Sequence, residues 1–235
     1  MDNKTLINID ILTAVPEIFP SFLSSSIPRI AAEKSIAKIN IHNLHDYADN
    51  TFGHIDDSPF GGAAGMLIKC QPFFDCIEKL QQETLYDEII YFSADGEKIT
   101  QALVNELSLK KNLMFLCGHY KGIDQRIRDT FVTREISMGD FILSGGELPA
   151  LVLADSIVRL LPGVISDIDS ALKDSFMDGL LEAPQYTRPA DYRGMTVPEI
   201  LLGGHHKNIE KWQLEQSVEK TKRLRPDLYE LYMEE

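Results

Sequence analysis

REISMGDFILSGGE, residues 134–147, joins short apolar stretches to a glycine pair and then to the opening of a helix. Its apolar run Phe141–Leu143 stops at Ser144-Gly145-Gly146, and Glu147, Leu148 and Pro149 lead into ALVLADSIVRLL. A strand candidate, a Gly-rich turn and a helix in that order form one half of a β-α unit. Two upstream segments, EIIYFSADG (88–96) and NLMFLCGHYKGID (112–124), also end their apolar runs in turns containing Gly. Before them Ile7 to Leu12 reads as a strand, with a helix opened by Pro16-Glu17, and Ala37 to Ile41 as a second alternating run. A helix is predicted over Pro72 to Gln82, and Asn50 to Met66 is loop-like. The alternation indicates an α/β domain with a largely parallel sheet.

The helix after Pro149 stops at Pro162-Gly163, and GVISDIDSALKDSF (163–176) is polar without strong periodicity. The division expected is therefore an α/β domain over 1–162, a flexible linker over 163–173 and a small, mainly helical domain over 174–235. In the last, DSFMD reads as a helix start with Asp174 as its cap. NIEKWQLEQSVEKTKRL (208–224) reads as a helix with Ile209, Trp212 and Val218 toward a core.

A chain of 235 residues can bury a sizeable core. Its three cysteines form no CxxC pair and leave an odd thiol, which favours a reduced setting. MDNKTLINIDIL has no signal-peptide pattern, and no apolar run reaches membrane-span length, so a cytoplasmic protein is expected. The net charge of −13 argues against broad nucleic-acid binding. Its distribution qualifies that: Lys173 to Asp227 carries nine cations and nine carboxylates, and the excess negative charge lies elsewhere. A polyanion is expected on the C-terminal third, where Gly203-Gly204-His205-His206 precedes a helix carrying Lys207, Lys211, Lys220, Lys222 and Arg223, with Arg225 beyond. A solvated helical face explains the charge equally well.

In open α/β sheets the ligand crevice lies outside the carboxyl ends of the strands. No G-x-x-x-x-G-K-[ST] occurs, and no G-x-G-x-x-G follows the first strand. Asp140 and Glu147 would also repel the anion that a phosphate cradle attracts. A cationic ligand with hydrogen-bonding edges fits better, and S-adenosylmethionine has both. The plainer reading is a tight turn with Glu147 favourably placed at a helix N-terminus.

The chain resembles the bacterial tRNA (guanine-N1)-methyltransferases of the SPOUT class. The resemblance is carried in order by DDSPFGGAAGM (56–66), CGHYKGID (117–124), SMGDFILSGGELPA (137–150), DSIVRLLPGV (155–164), DSFMDGLLEAPQYTRP (174–189) and VPEILLGGHHKNIEKW (197–212). It implies a SPOUT-type sheet with a deep trefoil knot, and a homodimer whose active site lies at the subunit interface. The implied substrate is the guanosine at position 37 of tRNA, presented by the anticodon stem-loop. By position, Tyr91, Phe92, Ser93, Gly118, Tyr120, Met138, Gly139, Asp140, Phe141, Ile142, Leu143, Gly145 and Gly146 would hold S-adenosylmethionine. Asp174 would take the proton from guanine N1, and Arg159 would stabilise the charge developing on O6.

Four positions depart from the family pattern: Phe60, Ala63, His119 and Lys121 stand where Tyr, Gly, Arg and Glu are usual. The Glu has been linked to magnesium dependence in relatives, and a protonated Lys121 cannot ligate a cation. A magnesium role is therefore in question here. Two competing readings are a related enzyme acting on another RNA position or a ribose 2′-hydroxyl, and a non-catalytic RNA-binding or donor-sensing module. The co-occurrence of Arg159 and Asp174 speaks against the second.

Overall fold

The computed structural model describes residues 5–165 and 174–234, and the chain divides into two compact units at 166/167. Most of the proposed linker lies outside the described residues.

In the first unit, β1 (Ile7–Thr13), β2 (Ala37–Asn43), β5 (Glu88–Lys98), β6 (Asn112–Leu116) and β7 (Arg134–Ser137) form one sheet of order β2-β1-β6-β5-β7. All four pairings are parallel, as the apolar runs predict. Two short strands, β3 (Asp56–Asp57) and β4 (Leu67–Ile68), pair antiparallel within the loop segment before α3 (Cys70–Gln81). Pro16–Ile18 is a single 3-10 turn, followed by α1 (Phe19–Leu23) and α2 (Ser26–Glu33).

Helices cover both faces of the sheet. On one, Ile7, Ile9 and Ile11 of β1 join Leu113 and Phe115 of β6 beneath α4 (Gln101–Ser108) and α6 (Glu147–Val158). On the other, Leu12, Met114 and Leu116 pack with Phe73 and Ile77 of α3 and Ile127 of α5 (Gln125–Phe131). Alternate residues of β6 thus enter opposite cores, which is why NLMFL is apolar throughout. Thr100 and Asp124 cap α4 and α5 by accepting from Leu103 and Arg126 backbone N–H groups.

One strand expectation fails. Phe141–Leu143 is an exposed loop, because β7 ends at Ser137 and Gly139 turns the backbone to φ 133°. β7 lies at the sheet edge and, among the described residues, pairs only with β5, so no second strand holds the continuation extended.

Asp10 of β1 sits within this unit at 6% exposure. Its carboxylate meets His42 Nε2 at 2.6 Å and accepts from Asn40 Nδ2 at 3.0 Å and Tyr86 O–H at 2.8 Å. Burial alone would raise its pKa, but the bonds from His42, Tyr86 and Asn40 outweigh it and hold the group below its ordinary value. The stabilisation is therefore present above the unfolded pKa and is lost as pH falls through the folded value. Asp10→Ala is expected to cost about 3 kcal/mol at neutral pH. That gap from the wild type should narrow below about pH 4, as urea midpoints across pH would report.

In the second unit, α8 (His206–Leu224) carries half-buried Ile209, Trp212 and Val218, as its periodicity predicts. Here α7 (Glu199–Leu202) precedes α8, α9 (Pro226–Glu234) follows it, and β8 (Asp191–Tyr192) pairs with β9 (Met195–Thr196) in a hairpin. DSFMD does not start a helix. Phe176 is left-handed at φ 75°, Met177 N–H donates to Asp174 O, and Asp178 Oδ1 accepts from Leu180 N–H. These are successive turns, so the helix start expected at Asp174 is not formed over 174–180. The segment is pinned to α8 instead: Thr221 Oγ1 accepts from Leu181 N–H at 2.8 Å, and Lys220 Nζ donates to Glu182 O at 2.8 Å.

Candidate active site

Three strand ends meet at the carboxyl edge of the parallel sheet, where open α/β folds place their ligands. β5 carries buried Tyr91 and Phe92, leaves its pairing with β7 after Phe92 and rejoins it at Glu97. Gly96 makes that bulge possible, since a Cβ there would lie 2.5 Å from the Glu135 carbonyl carbon. The bulged residues are anchored from α5 and β7. Ser93 Oγ donates to Glu135 Oε2 at 2.8 Å, and Arg128 grips both oxygens of Glu135 and reaches Asp95 at 2.9 Å. The Arg128 guanidinium also stacks 5.5 Å from the Tyr91 ring centroid. Burial raises the Tyr91 phenol above its ordinary range, with Arg128 opposing, so the ring stays neutral.

The loop after β6 and the loop before α6 are bonded to each other. Gly146 N–H donates to Gly118 O at 2.7 Å, and His119 makes isolated bridges with Gly122 and Gly145. Gly118 and Gly122 lie beneath the Tyr91 phenol; a Cβ on either would come within 3.0 Å of its oxygen. Gly146 is packed against β6's extension, with a Cβ position 2.8 Å from Cys117 Cα.

The two carboxylates flanking this loop do different work. Glu147 is only 4% exposed, accepts from Thr13 Oγ1 at 2.8 Å, and occupies the first turn of α6, where the helix dipole favours negative charge. Asp140 points away on the surface and pairs with Lys98 Nζ at 2.7 Å. Neither lines the cleft.

That cleft, of about 270 Å³, brings together Tyr91, Phe92, Ser93, Gly118, Tyr120, Met138, Gly139, Phe141, Ile142, Leu143, Gly145 and Gly146. Of the residues assigned to the methyl donor by resemblance, Asp140 alone stays outside. His119 and Lys121, two of the departures from the family pattern, also line it, and so do Asp95, Arg128 and Ser137, which sequence reasoning missed. Nothing in the α5 segment singles out Arg128; its role arises from contacts with the strand ends. His119 Nδ1 is buried and, among the described residues, has no hydrogen-bond partner; it lies 3.8 Å from Glu147 Oε2. Glycine-rich backbone, aromatic faces and an unsatisfied buried nitrogen suit a nucleoside-like ligand.

Arg159 does not line the cleft. It follows α6, its backbone N–H donates to Asp155 O, and its charge opposes the upward shift that burial gives the Asp155 carboxyl. Asp174 belongs to the second unit. Among that unit's described cations, several named from sequence are already engaged. Lys211 lies 3.9 Å from Glu215, Arg225 pairs with Asp227 at 2.6 Å, and Lys222 stacks 5.5 Å from Tyr229. Among the described residues no group of three or more His, Cys, Asp or Glu side chains could hold a metal ion, and no helix is long and apolar enough to cross a membrane.

Comparison with known proteins follows the same lines. Residues 7–231 match the family model described as tRNA (Guanine-1)-methyltransferase TrmD. The chain is 55% identical over 222 residues to a tRNA (guanine-N(1)-)-methyltransferase of Bacteroides thetaiotaomicron, covering 94% of this chain and 99% of that protein. Proteins of the same description from Flavobacterium johnsoniae (54% over 222 residues, 94% and 98% covered) and Chlorobium chlorochromatii (54% over 221 residues, 94% and 96% covered) are similar to it at almost the same level.

Proposed function

Because the chain belongs to the tRNA (guanine-1)-methyltransferase family, we propose a specific target and catalytic pair for it. The enzyme is a tRNA (guanine-N1)-methyltransferase that depends on S-adenosylmethionine. The target is the guanosine at position 37, presented by the anticodon stem-loop. The observation that carries the reading is the cleft at the carboxyl ends of β5, β6 and β7, where the glycine loops leave backbone open to an adenosine and a sulfonium.

Asp174 accepts the N1 proton of guanine, so that the ring nitrogen's electron pair can attack the methyl carbon as its bond to sulfur breaks. Arg159 stabilises the negative charge that spreads to O6. A free Asp is a weak base for guanine N1, and the cation offsets that mismatch. The donor is already activated, so the chain's remaining task is alignment. Tyr91, Gly118, Gly145 and Gly146 hold and bend the donor, and S-adenosylhomocysteine is the product left in the cleft.

The working form is a homodimer with each active site built from both chains. Supporting this, α6 is apolar on more than its core face, with Leu148 and Val152 about half exposed beside exposed Phe141 and Ile142. Phe60 is fully exposed on a glycine-rich loop. A deep trefoil knot is part of the reading, and the mutual bonding of the 118–122 and 138–146 loops is consistent with it. Three free cysteines suit a cytoplasmic setting. Segment 163–173 acts as a linker between the donor-binding and tRNA-binding domains. No magnesium step is assigned, since Lys121 occupies the position from which the family's usual Glu would act.

The deciding experiment incubates purified protein and labelled donor with tRNA transcripts bearing guanosine or adenosine at position 37, then maps the product. Label at N1 of guanosine 37, and none on the adenosine transcript, is expected. Label on a ribose or at another base would overturn the assignment.

A further inference from the structure

The second unit has a cleft of its own, of about 490 Å³, lined by Tyr186, Arg188, Ala190, Val197, Leu201 and Leu202 among others. Val197 and Leu201 are partly buried, while Tyr186 and Leu202 are 49% and 60% exposed. The β8–β9 hairpin grows from the cleft wall: Val197 N–H donates to Ala190 O at 2.9 Å, closing its base, and both residues line the cleft. At its tip Arg193 and Gly194 turn at φ 55° and 80°, and the Arg193 guanidinium stacks 5.1 Å from the Tyr192 ring centroid. Asp191, the tip's carboxylate, accepts from Gly194 N–H and so faces its own turn.

Resting on tRNA being the substrate, we propose that this cleft and hairpin form a tRNA subsite, taking a nucleobase other than the methylated one together with its adjoining phosphates. Tyr186 offers the half-exposed ring on which an unstacked base lies, with the apolar wall of Leu201 and Leu202 beside it. Arg188 and Arg193 meet the backbone. Aromatic rings interleaved with cations are the means by which proteins hold single-stranded RNA, and a stacked base tolerates any sequence because every base has a flat face.

Charge supports the placement. Residues 183–208 hold Arg188, Arg193 and Lys207 against Asp191 and Glu199, a positive balance within a chain of net charge −13. Among the described residues, Arg188 and Arg193 form no ion pair, whereas Lys211 and Arg225 of the α8 region are paired and Lys220 is bonded to backbone. The docking surface expected along α8 therefore extends to the hairpin. A polyanion finds there two guanidinium groups that, among the described residues, carry no carboxylate partner.

The test measures tRNA affinity by filter binding across a salt series, with donor affinity by calorimetry, on the full-length enzyme. Tyr186→Ala is expected to weaken tRNA about tenfold and Tyr186→Phe to bind as wild type. Arg188→Ala and Arg193→Ala should each weaken it severalfold and lower the salt slope by about one. Donor affinity should hold in all four. Should Tyr186→Ala lose its circular dichroism signal, Arg188→Glu and Arg193→Glu, at exposed positions, carry the test. Variants within about twofold of a wild type that binds and methylates tRNA would overturn the subsite. So would unchanged tRNA affinity with altered sedimentation, which would make the cleft a contact between copies. A wild type that fails to methylate tRNA would instead sink the functional reading.

Discussion

Asp174→Asn is expected to cut methyl transfer about a thousandfold while donor affinity stays within about twofold. The substitution is nearly isosteric, but an amide cannot accept the proton that guanine N1 must lose. The local fold should survive it. The turn is made by the Asp174 backbone carbonyl, which accepts from Met177 N–H, and by Ser175 Oγ, which accepts from Glu182 N–H. Leu181 remains bonded to Thr221 of α8. Single-turnover transfer from labelled donor separates chemistry from product release, and calorimetry reads the donor alone. Transfer near the wild-type rate would take Asp174 out of the mechanism.

Gly146→Ala should weaken donor binding by a different route. The new methyl would sit 2.8 Å from Cys117 Cα and 3.1 Å from Gly118 N, both backbone atoms of a chain that no side-chain rotation can move aside. Relief requires the start of α6 to lift away from the end of β6, breaking the 2.7 Å bond from Gly146 N–H to Gly118 O. Overpacking of this kind costs about 2 kcal/mol, which lowers the melting temperature by about 5 °C in a chain of this size. If the same distortion is charged to the ligand, affinity drops about thirtyfold. Gly203→Ala is the contrast: its Cβ would meet no atom nearer than 3.8 Å, and melting should not change. Wild-type donor affinity in Gly146→Ala would show that the two loops are not the binding wall.

The strands that enter cores on both faces were legible because burial on two sides leaves an unbroken apolar run, as in NLMFL of β6 and EIIYF of β5. The glycine turns were legible because close backbone approach permits few other residues. What stayed hidden depends on distant partners. Phe141–Leu143 has a strand's composition but no neighbouring strand to pair with. The Asp10 cluster draws Tyr86 from 76 residues away, and Arg128 gains its place in the cleft from Glu135 and Tyr91. DSFMD has a helix start's composition, yet the left-handed Phe176 reverses the chain after two residues. The buried side chain of Glu147 could not be told from an exposed carboxylate without Thr13 on the far side.

The pairing of β1 with β6 sets a schedule for synthesis. Asn8 aligns with Asn112, so the isoleucine-rich first strand leaves the ribosome about a hundred residues ahead of its central neighbour. At bacterial elongation speeds of about 5–20 residues per second, that interval is roughly 5–20 s. Throughout it β1 has β2 as its one strand partner among the described residues, and the core over Ile7, Ile9 and Ile11 lacks Leu113 and Phe115. Truncations ending before β6 should be insoluble or chaperone-bound, and solubility should appear only once the strand order can close.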